Sequence, residues 1–106
     1  MCKLQIRSFT RADQRAAKDL IILGLGEHFT DTDPSLNPDI DDIHSQYLQR
    51  GHSFIVAQLK SRIVATAGLV NINNSQAKIV RMSVAKECRR QGIARNLLEY
   101  VIKLAL

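Results

Sequence analysis

The chain has 106 residues, of which 45% are hydrophobic and 24% are charged, and its formal net charge at pH 7 is +5. This length predicts one domain over residues 1–106, the composition excludes a disordered chain, and no apolar run approaches the ~20 residues that span a bilayer. MCKLQIRSF at the start lacks the apolar core of a signal peptide, so we expect a cytoplasmic protein. Cys2 and Cys88 form neither a disulfide framework nor a metal site, which predicts free thiols.

The first predicted elements are a strand and a helix. The segment KLQIRSF alternates apolar and polar residues, which is the period of a half-buried strand. Thr10, followed three residues later by Asp13, forms a capping-box pattern and predicts that a helix begins there. Apolar residues recur at helical spacing as far as Leu23, and Gly24 and Gly26 are expected to end this helix.

A second short helix is predicted after a polar loop. Asn37 is a favourable capping residue, and Pro38 suits the first helical position because its fixed φ is already helical. Gly51 is expected to close this helix. Its apolar stripe consists of Ile40, Ile43, Tyr47 and Leu48.

The rest of the chain predicts three strands and a final helix. SFIVAQL and RIVATAGLVNI, on either side of a Lys60–Ser61 turn, are rich in β-branched residues, and AKIVRMSVA follows a second turn, NNSQ. The final helix begins at about Gly92, and we expect its apolar stripe to pack on the sheet. The order β-α-α-β-β-β-α predicts an α/β fold of the α+β type with a mixed sheet. The stripe consists of Ala94, Leu97, Leu98, Val101, Ile102 and Ala105.

Charge is separated along the chain. No Lys or Arg lies between Leu20 and Gln49, whereas Lys and Arg dominate from Lys78 to Arg95, where Glu87 is the only acid. The first stretch suits a cationic partner and the second an anionic one, unless both are simply solvated surfaces of opposite sign. The acids of the first stretch are Glu27, Asp31, Asp33, Asp39, Asp41 and Asp42.

The segment RRQGIARNLL, residues 89–98, places two arginines and a glycine immediately before the final helix. The first N–H groups of a helix lack intrahelical partners and the helix dipole is positive there, so this arrangement is typical of an anion site. Gly92 allows a ligand to approach the backbone, and the small Ala94 leaves the helix start uncrowded. The chain lacks a Gly-Lys-Ser/Thr sequence, which excludes a nucleotide-hydrolysing P-loop.

The segment IVRMSVAKECRRQGIARNLLEYV resembles motif A of the GNAT N-acetyltransferase superfamily, whose signature is Arg/Gln-x-x-Gly-x-Gly/Ala. The resemblance extends to the order of elements over nearly the whole chain. It implies a GNAT-like fold, acetyl-coenzyme A (acetyl-CoA) as the cosubstrate, and acetyl transfer by direct attack of an amine while both substrates are bound.

The same resemblance implies which residues hold acetyl-CoA. In the family, the loop before the helix holds the pyrophosphate, and the preceding strand meets the pantetheine arm and the thioester. The corresponding residues here are Met82, Ser83, Val84, Arg89, Arg90, Gln91, Gly92, Ile93, Ala94 and Arg95.

The family pattern also implies a strand, a helix and a closing hairpin, which would follow Leu106. We therefore expect either a piece of a longer protein or a homodimer that forms through the open edge of the strand ending at Val84. Lys86 and Ala94 stand where many family members have proline and glycine.

The attacking amine needs a group that accepts its proton, because amines are mostly protonated at neutral pH. In the family the segment between the two early helices borders the acceptor pocket, which makes Glu27 and His28 the candidate catalytic bases. A helix-end glutamate and a surface histidine are the alternative interpretation. His28, His44 and His52 share no metal-ligand spacing, so we expect no metal.

The acidity of this segment predicts a cationic acceptor amine, such as a polyamine, an aminoglycoside or a lysine side chain of a peptide. The candidate substrate-binding residues are Asp39, Asp41 and Asp42. These three residues equally suit the positive end of the second helix.

Two other functions stay open. A nucleic-acid-binding module would use the basic strip from Lys78 to Arg95, but aromatic residues make up only 5% of the chain and none lies within that strip. We therefore do not expect a nucleic-acid partner. A non-catalytic GNAT-like fragment would bind coenzyme A or another protein without turnover.

Overall fold

The computed structural model describes the backbone of residues 4–28 and 38–105, and the side chains of residues 4–23 and 39–104. Its sheet has neighbouring strands antiparallel in the order β1-β2-β3-β4. Lys60, in the turn between the second and third strands, has a left-handed φ of 58°. The strands are β1 (Leu4–Ser8), β2 (Ser53–Leu59), β3 (Arg62–Asn73) and β4 (Gln76–Val84), which confirms the predicted strands and fold class.

Strand β2 is buried on both faces of the sheet. Successive side chains of a strand point to opposite faces, so Phe54 and Val56 contact one core while Ile55 and Ala57 contact another. All four are at most 2% exposed. The sheet therefore separates two apolar cores, and helices cover both of them.

Helix α1 (Gln14–His28) follows a 3₁₀ turn at Arg11–Asp13. The predicted capping interaction forms, because the Asp13 carboxylate accepts hydrogen bonds from the Thr10 amide at 2.9 Å and the Thr10 hydroxyl at 3.0 Å. The prediction that Gly24 and Gly26 end the helix is wrong, since α1 continues through both. A glycine inside a helix costs only about 1 kcal/mol relative to alanine, which the helix tolerates.

The second predicted helix is divided into three short pieces. A 3₁₀ turn at Pro38–Asp41, helix α2 (Ile43–Gln46) and a 3₁₀ turn at Leu48–Arg50 follow one another. The prediction of one continuous helix is therefore wrong. The interruption is at Asp42, which has φ −149° and ψ 82° and whose side chain accepts a hydrogen bond from the Ser45 amide at 3.2 Å. A short aspartate side chain competes with helical hydrogen bonding in this way.

The apolar stripe and the end of this segment agree with the prediction. Ile40, Ile43 and Tyr47 are buried against Phe54, and Gly51 ends the segment with a left-handed φ of 82°. The proposed capping residue Asn37 lies outside the described residues.

Helix α3 (Ile93–Ala105) packs on the core that contains Ile55 and Ala57, but only part of its apolar stripe is buried. Leu97 and Val101 are fully buried, whereas Leu98 and Ile102 are 38% and 47% exposed. The expectation that the whole stripe packs on the sheet is therefore wrong. The reason is that β4 is the edge strand of the described sheet, so no strand among the described residues extends beyond it to cover this side of α3.

Candidate functional site

A cleft of about 670 Å³ opens between the end of β4 and the start of α3. This volume is typical of small-molecule sites in proteins. Helix α1 contributes Ile21 to its wall, and β4, the following loop and the first residues of α3 contribute the rest. The lining residues are Ile21, Arg81, Met82, Ser83, Val84, Cys88, Arg89, Arg90, Gly92, Ile93 and Ala94.

The loop between β4 and α3 contains two left-handed residues, Arg90 with φ 65° and Gly92 with φ 78°. The Gly92 carbonyl accepts a helical hydrogen bond from the Asn96 amide at 3.0 Å, so Gly92 is the residue that caps α3. The amides that follow it belong to the first turn, where helical N–H groups have no intrahelical acceptor. A Cβ added at Gly92 would meet no atom within 4 Å, so its backbone is accessible to a ligand.

Side chains of the loop bind it to the end of β4 and to the 3₁₀ turn at Lys86–Cys88 that follows the strand. Arg89 Nε donates to the Val84 carbonyl at 3.2 Å, and Gln91 Nε2 donates to the Glu87 carbonyl at 3.3 Å. Glu87 in turn forms an ion pair with Arg62. The ionisable residues that line the cleft are three arginines and Cys88, with no carboxylate among them, so the cleft favours an anion.

Strand β4 reaches the cleft through a bulge. Thr66 pairs with Ser83 and Gly68 pairs with Val80, so two residues of β4, Arg81 and Met82, lie opposite one residue of β3. Such an extra residue bends the strand and changes the direction of the side chains that follow. The two bulge residues therefore line the cleft themselves, and Ser83 and Val84, which also line it, follow them directly.

The cleft brings together eight of the ten residues predicted to bind acetyl-CoA. The other two, Gln91 and Arg95, belong to the same loop and first helical turn but do not line the cleft. Three lining residues were not predicted: Ile21, Arg81 and Cys88. Ile21 is one of the apolar residues that recur at helical spacing in the first predicted helix, so the sequence indicated that it faces the interior. Nothing in the local sequence indicates a bulge at Arg81.

Asp39 interacts with β4. Its carboxylate accepts hydrogen bonds from Arg81 Nε at 2.9 Å and Arg81 Nη2 at 2.7 Å, and from the Tyr47 hydroxyl at 2.6 Å. Burial acts to raise the pKa of Asp39, but the hydrogen bonds from Arg81 and Tyr47 outweigh it, so the pKa lies below its ordinary value. Burial, together with the hydrogen bond to Asp39, raises the pKa of Tyr47 to about 12.

The other two predicted acceptor-binding aspartates also have partners in the protein. Asp41 forms an ion pair with Lys18 at 2.6 Å and its side chain is half exposed. Asp42 caps α2, which is the alternative role foreseen for these aspartates. None of the three lines the cleft, although Asp39 contacts Arg81, which does.

The two candidate bases, Glu27 and His28, belong to the last turn of α1. Their side chains lie outside the described residues.

The described part of the chain contains neither a metal-binding cluster nor a membrane-spanning helix. Among the described side chains, those of residues 4–23 and 39–104, no group of three or more His, Cys, Asp or Glu is placed to hold a metal ion. None of the helices described is both long enough and apolar enough to cross a membrane. Cys88 is a free, buried thiol, and Cys2 lies outside the described residues.

The known proteins that resemble this chain are acetyltransferases. The family model described as "Acetyltransferase (GNAT) family" matches residues 11–106. N-acetyltransferase 8 of Rattus norvegicus is 36% identical to this chain over 76 residues, which are 66% of this chain and 34% of that protein. The chain thus spans about a third of the length of the curated relatives it matches.

Solved structures show the same similarity in the fold. A GNAT acetyltransferase from Staphylococcus aureus Mu50 superposes with a TM-score of 0.89 at 27% identity, over 97% of this chain and 66% of that one. An aminoglycoside 6′-N-acetyltransferase, solved in complex with coenzyme A, superposes with a TM-score of 0.75 at 15% identity, over 95% of this chain and 54% of that one.

Proposed function

Since the chain belongs to the GNAT family of acetyltransferases, we propose that its cleft binds acetyl-CoA and that the acetyl group passes to an amine. One observation supports this most. The family motif assigns residues 82–84 and 89–94 to acetyl-CoA, and all of these residues except Gln91 line one cleft at the start of α3. Acetyl-CoA supplies the thioester that the amine attacks.

The helix start suits the pyrophosphate of this cosubstrate. The left-handed Gly92 leaves its backbone open, the α3 N-terminus offers amide N–H groups, and Arg89 and Arg90 add positive charge. Amides at a helix N-terminus and arginine side chains together form strong, charge-assisted hydrogen bonds to phosphate. The cationic lining of the cleft supports the same assignment.

The thioester end belongs at β4. Its outer edge pairs with no strand among the residues that the structure describes, so N–H and C=O groups of Met82–Val84 are available on that side. A backbone N–H directed at the thioester oxygen stabilises the negative charge that develops during attack, and such groups contribute strongly to catalysis. We assign this role to the backbone beside Val84.

Glu27 and His28 are the candidates for the group that accepts the proton of the amine. Both belong to the last turn of α1, the helix that contributes Ile21 to the wall of the cleft. The ionisable side chains that line the cleft are arginines and a thiol, so a carboxylate or an imidazole from α1 would supply a base that they lack.

The acceptor is proposed to be a cationic amine of a small molecule or a peptide. The support is the absence of Lys and Arg between Leu20 and Gln49, a stretch with six acids. Asp41, which is half exposed and paired only with Lys18 in the hydrogen bonds and ion pairs described, is the aspartate best suited to contact such a group. A cytoplasmic location stays a prediction from the sequence.

The test is to incubate the chain with acetyl-CoA and a panel of amines that includes spermidine, an aminoglycoside and a lysine peptide. Release of free thiol and a gain of one acetyl group on the amine, detected by mass spectrometry, would support the proposal. Stabilisation by acetyl-CoA without any acetylated amine would indicate a non-catalytic protein. Salt-dependent RNA binding without a response to acetyl-CoA would indicate a nucleic-acid module.

A further inference from the structure

The bulge in β4 contains a residue in an unfavourable backbone conformation. Arg81 has φ 52°, a left-handed value that costs a non-glycine residue roughly 1–2 kcal/mol. It lies directly before Met82, and both residues line the cleft. Such a conformation persists only where the surrounding structure holds it in place.

Two sets of hydrogen bonds hold Arg81 in this conformation. The hydroxyl of Thr66, which is fully buried, donates to the Arg81 carbonyl at 2.9 Å. The guanidinium of Arg81 donates to both carboxylate oxygens of Asp39, at 2.9 and 2.7 Å. The bulge is therefore fixed on its backbone by β3 and on its side chain by the segment before α2.

Asp39 provides a rigid anchor for this contact. The next residue, Ile40, is 1% exposed, and its carbonyl accepts a hydrogen bond from Gln14 Nε2 of α1 at 2.7 Å. The Asp39 carboxylate is further oriented by the hydroxyl of Tyr47, which is itself buried. Asp39 consequently links α1 and the turn at Pro38–Asp41 to β4, the strand that lines the cleft.

We propose that Arg81 and Asp39 are positioning residues, which hold the bulge so that Met82–Val84 present their backbone to the acetyl thioester. This inference rests on the proposed acetyl-CoA site. The pair acts through the strand and does not itself contact the reacting atoms. It also joins the two sides of the proposed reaction centre, since Asp39 belongs to the acidic segment and Arg81 to the thioester strand.

The chain offers a matched control for this pair. Arg7 donates to both carboxylate oxygens of Asp13 at 2.7 and 2.9 Å, and this pair is also partly buried. Neither residue lines the cleft. Arg7→Lys therefore disrupts another bidentate arginine–aspartate contact without touching the bulge, and it separates loss of stability from loss of positioning.

The experiment is a titration of the ¹⁵N-labelled chain with acetyl-CoA, in which backbone amide signals report two parts of the site separately. In the wild type, amides at both Gly92–Ile93 and Ser83–Val84 should shift. In Asp39→Asn and Arg81→Lys, the Gly92–Ile93 shifts should persist while the Ser83–Val84 shifts are lost. Arg7→Lys should behave as the wild type. Thr66→Val, which removes only the hydroxyl contact to the bulge, should reduce the Ser83–Val84 shifts even if the other variants fold poorly.

With an acceptor amine such as spermidine, Asp39→Asn and Arg81→Lys should lose kcat by about ten- to a hundredfold while KM for acetyl-CoA changes little, as expected for a small misplacement of reacting groups, and Arg7→Lys should keep the wild-type kcat. Unchanged Ser83–Val84 shifts in Asp39→Asn, Arg81→Lys and Thr66→Val would overturn the positioning role and leave the acetyl-CoA site standing. An absence of shifts at both places in the wild type would instead overturn the proposed function.

Discussion

The hydroxyl of Tyr47 donates a 2.6 Å hydrogen bond to the carboxylate of Asp39, and the two residues lie on either side of α2. The Tyr47 ring also packs against Phe54, with ring centroids 5.0 Å apart. A phenol that is buried and bound to a carboxylate resists loss of its proton, because both surroundings disfavour the negative phenolate. The pKa of Tyr47 is accordingly raised to about 12.

This raised pKa predicts how stability depends on alkaline pH. The folded state holds the Tyr47 proton more tightly than the unfolded state, so the stabilisation is complete below pH 10 and is lost as the pH rises towards about 12. Urea denaturation gives the free energy of unfolding of the wild type and of Tyr47→Phe. The difference between the two values should therefore shrink as the pH rises from 10 to about 12. A difference that stays constant over this range would contradict the proposed environment of Tyr47.

Gln14 is expected to be important for stability although it is polar. Its carboxamide donates to the Ile40 carbonyl at 2.7 Å and accepts from the Ile43 amide at 2.9 Å, joining α1 to the segment around α2. Gln14→Leu, which keeps the size, should lower the free energy of unfolding by about 2 kcal/mol because two backbone groups lose their partners.

The matched control for this substitution is Gln49→Leu, since Gln49 only accepts a hydrogen bond from the exposed hydroxyl of Ser45. That change should cost less than about 0.5 kcal/mol. Equal effects of the two substitutions in urea denaturation would show that the Gln14 hydrogen bonds contribute nothing specific.

The sequence predicts the loop of the candidate site well because the loop is local. Gly92, the arginines before it and the amphipathic helix after it are adjacent in the chain, so a short pattern predicts their joint geometry. The strands are equally local in their signals, since each is a β-branched run between turn residues.

The features that the sequence did not predict depend on distant or competing interactions. The Arg81–Asp39 pair joins residues 42 positions apart, and it depends on a bulge that shifts the register of β4. The interruption at Asp42 and the continuation of α1 through Gly24 depend on a balance of about 1 kcal/mol between local preference and the rest of the fold. No single-residue preference determines the outcome of such a balance.

Substitution of the candidate bases should change the pH dependence of acetyl transfer. If His28 accepts the proton of the amine, His28→Gln should lower the rate by about a hundredfold at pH 7 and by less at alkaline pH, where free amine is abundant. Glu27→Gln should have little effect. His44→Gln is the control, because His44 contacts Arg11 and does not line the cleft.

The rate of acetyl transfer to the best amine of the panel, followed from pH 6 to pH 9, distinguishes the outcomes. A pH-dependent loss in Glu27→Gln alone would assign the base to Glu27. A flat response in both variants would contradict a side-chain base on α1 and leave an ordered water in that role.

The exposed side of α3 and the open edge of β4 predict self-association of the 106-residue chain. Leu98 and Ile102 are 38% and 47% exposed beside an edge strand, and such edges pair readily with another chain. Sedimentation should show a dimer whose population rises with concentration. Ile102→Lys should weaken it, because the substitution places a charge in the apolar contact.

Leu23→Lys provides the control for this prediction. Leu23 is 67% exposed and lies on α1, so it is an accessible apolar side chain on a different helix from Ile102. It should leave the dimer unchanged. A chain that sediments as a monomer at all concentrations would contradict self-association through the edge of β4 and the exposed side of α3.

Two glycines provide the most direct test of the acetyl-CoA site. Gly92 and Gly51 have nearly the same left-handed φ, 78° and 82°, and a Cβ at either would meet no atom within 4 Å. Glutamate at either position therefore costs similar stability through the backbone, but only at Gly92 does it place a negative charge against the proposed pyrophosphate. Acetyl-CoA should raise the melting temperature of the wild type and of Gly51→Glu, since it binds only the folded state, and should not raise that of Gly92→Glu. An equal rise in Gly92→Glu would contradict the assignment of acetyl-CoA to this cleft.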